Sequence, residues 1–197
     1  MKTVIVIGFL ILSQVASAQN DPRSSSKSAA QYDASSIDEN IAHDRDVMYF
    51  SQLAIDRGTI ADTKDAARDM LADFTALLYS MEQLATAGGK GERAAANDAA
   101  QEAKNLNEQL AVSRGFTFDT AWIGGILRMH QVNIDRLTVQ KTNATNERLK
   151  AAVTEAIPVV KKYVTRLNSL QKQLVRRDLQ EKKQAAKEAA MEAKKRK

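Results

Sequence analysis

Apolar residues recur at steps of three and four along most of the chain, which is the spacing of helices that bury one face. The clearest stripe includes Met70, Phe74, Leu77 and Met81, and Gly88-Gly89 ends it. A stripe of this width, about a third of the helix circumference, predicts a helix that faces a core.

Three other long stretches have the same spacing. The first begins at Ser36, where Ser36 and Glu39 fit a capping box at a helix start. The others begin near Asp119 and near Leu149, and Asp98–Ser113 reads as a shorter, more polar helix. Four long amphipathic helices and one short helix predict an all-α fold built as a four-helix bundle.

The predicted helical domain covers residues 36–175. Residues 19–35 are polar and lack an apolar period, so they predict a flexible linker. Residues 176–197 hold nine basic and four acidic residues, and we expect a basic tail that is either helical or disordered. The net charge of +5 therefore belongs to the tail, and the helical domain is close to neutral.

The first 18 residues have the pattern of a secretory signal peptide. Lys2 precedes an apolar run over Thr3–Leu12, and Ala16-Ser17-Ala18 supplies the small residues of a cleavage site. No second apolar run of transmembrane length follows. We therefore expect an exported protein, periplasmic or associated with the envelope, whose mature chain has no transmembrane segment.

Several catalytic and metal-binding patterns are missing from the sequence. The chain has no cysteine, no Gly-x-Ser-x-Gly and no phosphate-binding loop. Its two histidines lie in different predicted helices, and no Glu-x-x-His occurs. His43-Asp44-Arg45-Asp46 has the look of a surface cluster at a helix start. The sequence thus predicts neither an enzyme nor a cofactor or metal site.

Three polar residues fall on or beside the apolar stripes. His130 lies within the third long stripe, Tyr163 within the fourth, and Asp73 at the edge of the second. Because buried polar groups need partners, Asp73, His130 and Tyr163 are candidates for one hydrogen-bonded cluster in the core. The alternative is that each is satisfied separately, as is usual for a core histidine.

The chain resembles a bacterial envelope family called domain of unknown function 4142. The resemblance covers about residues 46–174 and rests on the following segments: Leu53-Ala54, Met70-Leu71-Ala72-Asp73, Leu84-Ala85, Phe118-Asp119, His130 and Pro158-Val159-Val160. It implies an exported ferritin-like helical protein. The expected fold is thus a ferritin-like up-down four-helix bundle with one short extra helix.

The chain departs from the pattern of this family at two inward positions. Family members usually have Asp-His where this chain has Asp73-Phe74, and usually have His where Tyr163 stands. They often have Glu near the Leu-Ala of the first helix, where Val47 and Tyr49 lie here. Of the polar set associated with the family only Asp73 and His130 remain, so if those groups bind a metal in other members, the resemblance implies that this chain is a poor candidate for a metal site.

The function predicted from the sequence is an exported, non-enzymatic helical-bundle protein that binds an unknown envelope partner or has a structural role. One alternative is a ferritin-like metal-binding or redox protein. Another is peripheral contact with anionic surfaces through the tail, with nucleic acid excluded because no aromatic platform accompanies the charges. The candidate residues for that contact are the basic residues of the tail: Arg176, Arg177, Lys182, Lys183, Lys194, Lys195, Arg196 and Lys197.

Overall fold

Five helices and no strand make up the part of the chain that a computed structural model describes, residues 22–88 and 97–196. The helices are α1 (Pro22–Arg57), α2 (Ala61–Gly88), α3 (Asn97–Val112), α4 (Gly115–Asn143) and α5 (Glu147–Lys195). The predicted all-α class is confirmed for these residues. The predicted signal peptide, residues 1–18, lies outside them.

The four long helices share one apolar core. α1 packs on α2, α2 on α5, α5 on α4, and α4 on α1, while α3 lies mainly against α4. Phe50, Phe74, Trp122 and Tyr163 are among the largest fully buried side chains, one from each long helix. The indole Nε1 of Trp122 donates to the carbonyl of Phe50 over 2.8 Å, so its one polar atom is satisfied inside the core.

Helix α1 begins earlier than the sequence predicts. Residues 22–35, expected as part of a linker, are helical, and Ser36 is a buried residue within α1 rather than its N-cap. The physical reason is a tertiary contact that composition does not reveal. The Asp33 carboxylate is buried and accepts hydrogen bonds from the amides of Thr145 and Asn146, which lie between α4 and α5.

A matching contact holds the connection between α1 and α2. Asp119, expected near the start of the third long helix, lies inside α4 and is fully buried. Its carboxylate accepts from the Thr59 amide over 3.0 Å and from the Thr59 hydroxyl over 2.6 Å. The hydroxyl of Thr145 donates to Asp33 over the same 2.6 Å. Two buried aspartates therefore fasten the two helix connections in the same way.

The two connections also have the same length and backbone bonding. Residues 58–60 join α1 to α2, and residues 144–146 join α4 to α5. In each, the first residue donates to the carbonyl four residues back over 2.9 Å, from Gly58 to Ala54 and from Ala144 to Gln140. Asp33 precedes Thr59 by the same number of residues as Asp119 precedes Thr145. The α1–α2 and α4–α5 pairs are thus two copies of one arrangement.

The tail that the sequence predicts as helical or disordered continues α5 as a helix to Lys195. Leu174 is the last buried residue of α5, and the residues after it are exposed except for the half-buried Asp178. Among the described residues, no helix is both long and apolar enough to cross a bilayer.

Candidate functional site

Four rings, one from each long helix, meet in the middle of the core. They are His43 from α1, Phe74 from α2, His130 from α4 and Tyr163 from α5. The ring of Phe74 stacks on that of His130 with centroids 5.3 Å apart and planes within 7°. The centroids of His43 and Tyr163 lie 6.1 and 6.2 Å from that of His130. We call these four residues the ring cluster.

The helical periodicity of the sequence places both histidines inward. His130 lies among the apolar stripe residues of α4 and is fully buried. His43 continues a stripe through Val47, Phe50 and Ala54 toward the start of α1, and its exposure is 3%. This spacing is the signal in the sequence that could have shown His43 to be buried. The expectation that His43 and Asp44 form a surface cluster at a helix start is therefore wrong, because the helix begins at Pro22.

Burial keeps both imidazoles neutral. Removal from water lowers the pKa of His130 to about 3. Burial also lowers the pKa of His43 well below its usual value, and the nearby charge of Arg136 acts in the same direction. A neutral imidazole keeps a nitrogen lone pair that can bind a proton donor or a metal ion.

Three ring nitrogens in the cluster lack a hydrogen-bond partner within the protein. They are Nε2 of His43 and both Nδ1 and Nε2 of His130. An unsatisfied buried polar group typically costs about 1–3 kcal/mol, so native cores seldom retain one without a reason. Three of them at one place mark the ring cluster as a site with unused bonding capacity.

The structure brings together two of the three polar residues predicted to form a core cluster. The Tyr163 hydroxyl donates to Asp73 Oδ2 over 2.7 Å, and Lys162 Nζ donates to the same oxygen over 2.8 Å. Burial acts to raise the pKa of Asp73, but these two donors outweigh it and lower the pKa. His130 lies beside the Tyr163 ring, yet neither Asp73 nor Tyr163 supplies its nitrogens with a partner.

A second set of polar side chains lies near His43, where α1 packs against the C-terminal half of α4. Asn40 Nδ2 donates to Gln140 Oε1 over 2.9 Å, and Arg136 Nη2 donates to Asn133 Oδ1 over 2.6 Å. Asp44 is 5% exposed, and burial raises its pKa to about 8 although the charge of Arg136 opposes this shift. The core near His43 therefore contains a carboxyl that is largely protonated at neutral pH.

Carboxylates do not complete a metal-binding group around the histidines. Within residues 22–88 and 97–196, no three His, Asp or Glu side chains converge as a metal site would require. Two carboxylates of α2 are engaged in ion pairs instead, Asp69 with Arg166 and Asp65 with Arg68. The ring cluster thus offers two imidazole ligands and no carboxylate ligand.

The basic tail residues lie on the exposed part of α5. Three of the predicted candidates bind acidic neighbours on the same helix: Arg177 with Glu181 at 3.1 Å, Lys182 with Asp178 at 2.7 Å, and Arg196 with Glu192 at 3.9 Å. Lys197 lies outside the described residues. The remaining candidates, Arg176, Lys183, Lys194 and Lys195, have no ion pair within the described chain.

The chain matches the family described as Domain of unknown function (DUF4142) over residues 18–170, and it belongs to that family. No curated protein matches the sequence.

Solved structures of a protein called CopM share the fold. CopM in the Cu(II)-bound form superimposes with a TM-score of 0.62 at 17% identity, over 72% of this chain and 96% of that one. CopM in an Ag-bound form obtained by co-crystallization gives a TM-score of 0.58 at 18% identity, with the same coverage.

Two of the departures that the resemblance implies, at Phe74 and Tyr163, lie in the ring cluster. The resemblance implies histidine in place of Phe74 and in place of Tyr163, and both of these rings contact His130 in the structure. The two departures are therefore neighbours in space although they lie in different helices.

Proposed function

We propose that this protein is an exported, non-enzymatic helical-bundle protein of the bacterial envelope that binds one soft monovalent metal ion, Cu(I) or Ag(I), between His43 and His130. The observation that carries the proposal is the pair of buried neutral imidazoles with three unpartnered nitrogens. The proposed architecture is a ferritin-like up-down four-helix bundle in which α3 is the extra helix.

The separation of the two histidines fits a shared ion. Bonds from imidazole nitrogen to a metal are about 2.0–2.1 Å long, so a shared ion lies about 3 Å from each ring centroid. Two rings facing one ion then have centroids about 6 Å apart. The observed separation of 6.1 Å agrees with this span.

The ligand set favours ions that accept few ligands. Zn²⁺ in proteins takes four ligands, and Ca²⁺ and Mg²⁺ take six or more, mostly oxygen. The described residues offer no such group. Cu(I) and Ag(I) form stable complexes with two ligands in a line, and imidazole is a suitable ligand for copper. The apolar surroundings of Phe74 favour a monovalent ion over a divalent one, because the cost of burying charge is smaller.

Two further observations support the proposed metal site. The fold is shared with CopM, whose solved structures contain Ag or Cu(II). The family pattern implies more imidazoles at the ring cluster, which is where the two histidines of this chain meet. Export is supported by the signal-like residues 1–18, and the absence of a recognisable catalytic pattern supports a binding role.

The test is a titration of the purified protein with Ag(I) and with Cu(I) under reducing conditions, followed by metal analysis after desalting. We expect one ion per chain in the wild type and none in His43→Leu or His130→Leu. Leucine keeps the core apolar and filled, so both variants should stay folded by circular dichroism. A wild type that retains no ion, or a His130→Leu variant that binds as the wild type does, overturns the proposal.

A gain-of-function variant separates this site from adventitious binding by surface methionines. Phe74→His adds an imidazole where the ring stacks on His130, and we expect tighter Ag(I) binding at unchanged stoichiometry. Tyr79→His, on the exposed face of the same helix, is the matched control. It should leave the affinity of the core site unchanged.

A further inference from the structure

The exposed end of α5 carries charge in an ordered pattern around the helix. At about 100° per residue, its four acidic residues fall within one arc of about 80°. They are Asp178, Glu181, Glu188 and Glu192. The ion pairs made by Arg177, Lys182 and Arg196 lie on this side, which we call the paired face.

The opposite side carries cations without acidic neighbours. Arg176, Lys183, Lys187 and Lys194 are spaced seven, four and seven residues apart, which places them within about 20° of one line along the helix. All four are exposed, and none has an ion pair within the described chain. At 1.5 Å per residue the row is about 27 Å long. We call these four residues the cationic row.

Two exposed apolar side chains border the cationic row. Leu179 lies about 60° to one side and Met191 about 60° to the other. Their exposures are 53% and 57%, which is high for residues of this kind. Cations with flanking apolar side chains on one face and acidic residues on the other are typical of a helix that lies at a membrane surface.

We propose that the α5 extension binds the surface of an anionic phospholipid bilayer, with the cationic row facing the headgroups and with Leu179 and Met191 entering the interfacial region. The row matches a flat anionic surface because it is straight and because its cations have no internal partners to displace. A nucleic acid is disfavoured, since no aromatic side chain lies on this face to stack with bases. This proposal is independent of the metal site.

The test is co-sedimentation of the full chain with vesicles of phosphatidylglycerol and phosphatidylcholine, compared with phosphatidylcholine alone. We expect binding to the anionic vesicles only, weakened by added salt. Each basic side chain near such a surface contributes about five-fold in affinity, so replacing all four row cations with Gln should weaken binding several hundred-fold.

The control has the same net charge but leaves the row intact. It replaces four cations outside the row with Gln, namely Arg177, Lys182, Lys195 and Arg196, and it should lose far less affinity than the row variant. Helix content measured by circular dichroism checks that both variants keep α5. Equal losses of affinity in the two variants overturn the proposal, because net charge alone then explains binding. A wild-type protein that does not bind anionic vesicles also overturns it.

A second pair of measurements distinguishes a lipid surface from a soluble polyanion. Leu179→Ser with Met191→Ser removes the apolar flanks and leaves every charge in place. We expect weaker vesicle binding and unchanged binding to double-stranded DNA. If vesicle binding is unaffected, or if the wild type binds DNA at the same salt more tightly than vesicles, the lipid assignment is wrong.

Discussion

The two histidines and Asp44 are residues whose charge state in the fold differs from that in water. His43 and His130 stay neutral where exposed histidines would be protonated, and Asp44 stays protonated where an exposed aspartate would be ionised. These shifts oppose each other in their effect on stability.

We predict that the free energy of unfolding of the metal-free protein is largest near pH 6.5. Just below pH 6.5 the unfolded histidines bind protons that the folded ones do not, so of these three residues the two histidines raise stability with pH and Asp44 lowers it. Above pH 6.5 Asp44 is the one of these three residues that still contributes, and stability falls up to its folded pKa of about 8. The slope there is about 1.4 kcal/mol per pH unit.

Urea denaturation between pH 5 and pH 8.5 measures this profile. Asp44→Asn removes the carboxyl and should abolish the decline between pH 6.5 and 8, and it should steepen the rise below pH 6.5, because Asp44 no longer opposes the histidines. A variant that keeps the decline shows that another group causes it.

The sequence predicts a helix correctly where the buried residues recur at the helical spacing of three and four. The stripe through Met70, Phe74 and Met81 predicted α2, and the stretches that begin near Asp119 and near Leu149 predicted α4 and α5. The start of α1 was not predictable, because it depends on Asp33 reaching a connection more than a hundred residues away. The approach of His43 to His130 depends in the same way on which helices become neighbours, which periodicity alone does not specify.

The contact between α3 and α4 depends on one glycine. A Cβ at Gly125 would overlap the side chain of Leu106, which is 1% exposed. At the adjacent Gly124, the nearest atom to an added Cβ is Arg128 Nη1 at 3.7 Å, an ordinary contact. The two neighbours thus face different surroundings on the same helix.

We predict opposite signs for the same substitution at these two positions. Gly125→Ala should destabilise the protein by about 1–3 kcal/mol, because it overpacks the interface. Gly124→Ala should stabilise it by about 0.5–1 kcal/mol, because alanine has the higher helix propensity. Thermal unfolding measures both. Destabilisation by Gly124→Ala as large as that by Gly125→Ala would contradict the packing explanation.

The whole molecule is held at both ends by the two buried aspartates. Asp33, near the start of α1, binds the connection that follows α4, and Asp119, near the start of α4, binds the connection that follows α1. Helices α1 and α4 therefore run in opposite directions, and the two contacts lie at opposite ends of the core.

We predict that Asp33→Ala and Asp119→Ala each cost about 1–3 kcal/mol, because each leaves buried donors without a partner. Since the two sites share no residue and lie far apart, the double variant should lose the sum of the two costs to within about 0.5 kcal/mol. Chemical denaturation of the wild type, the two single variants and the double variant measures these costs in a double-mutant cycle. A large coupling energy would show that the two connections do not act independently.

Each of these aspartates bonds to the connection of the other helix pair and not to its own. The segment from Pro22 to Gly88 thus contributes one carboxylate and one threonine, and the segment from Asn97 to Arg196 contributes the same two groups in return. The two halves recognise each other as the subunits of a two-fold dimer do, by exchanging identical contacts across an axis. In this respect the chain resembles a dimer of helical hairpins whose two subunits belong to one polypeptide, so the two halves can differ in sequence as the subunits of a homodimer cannot.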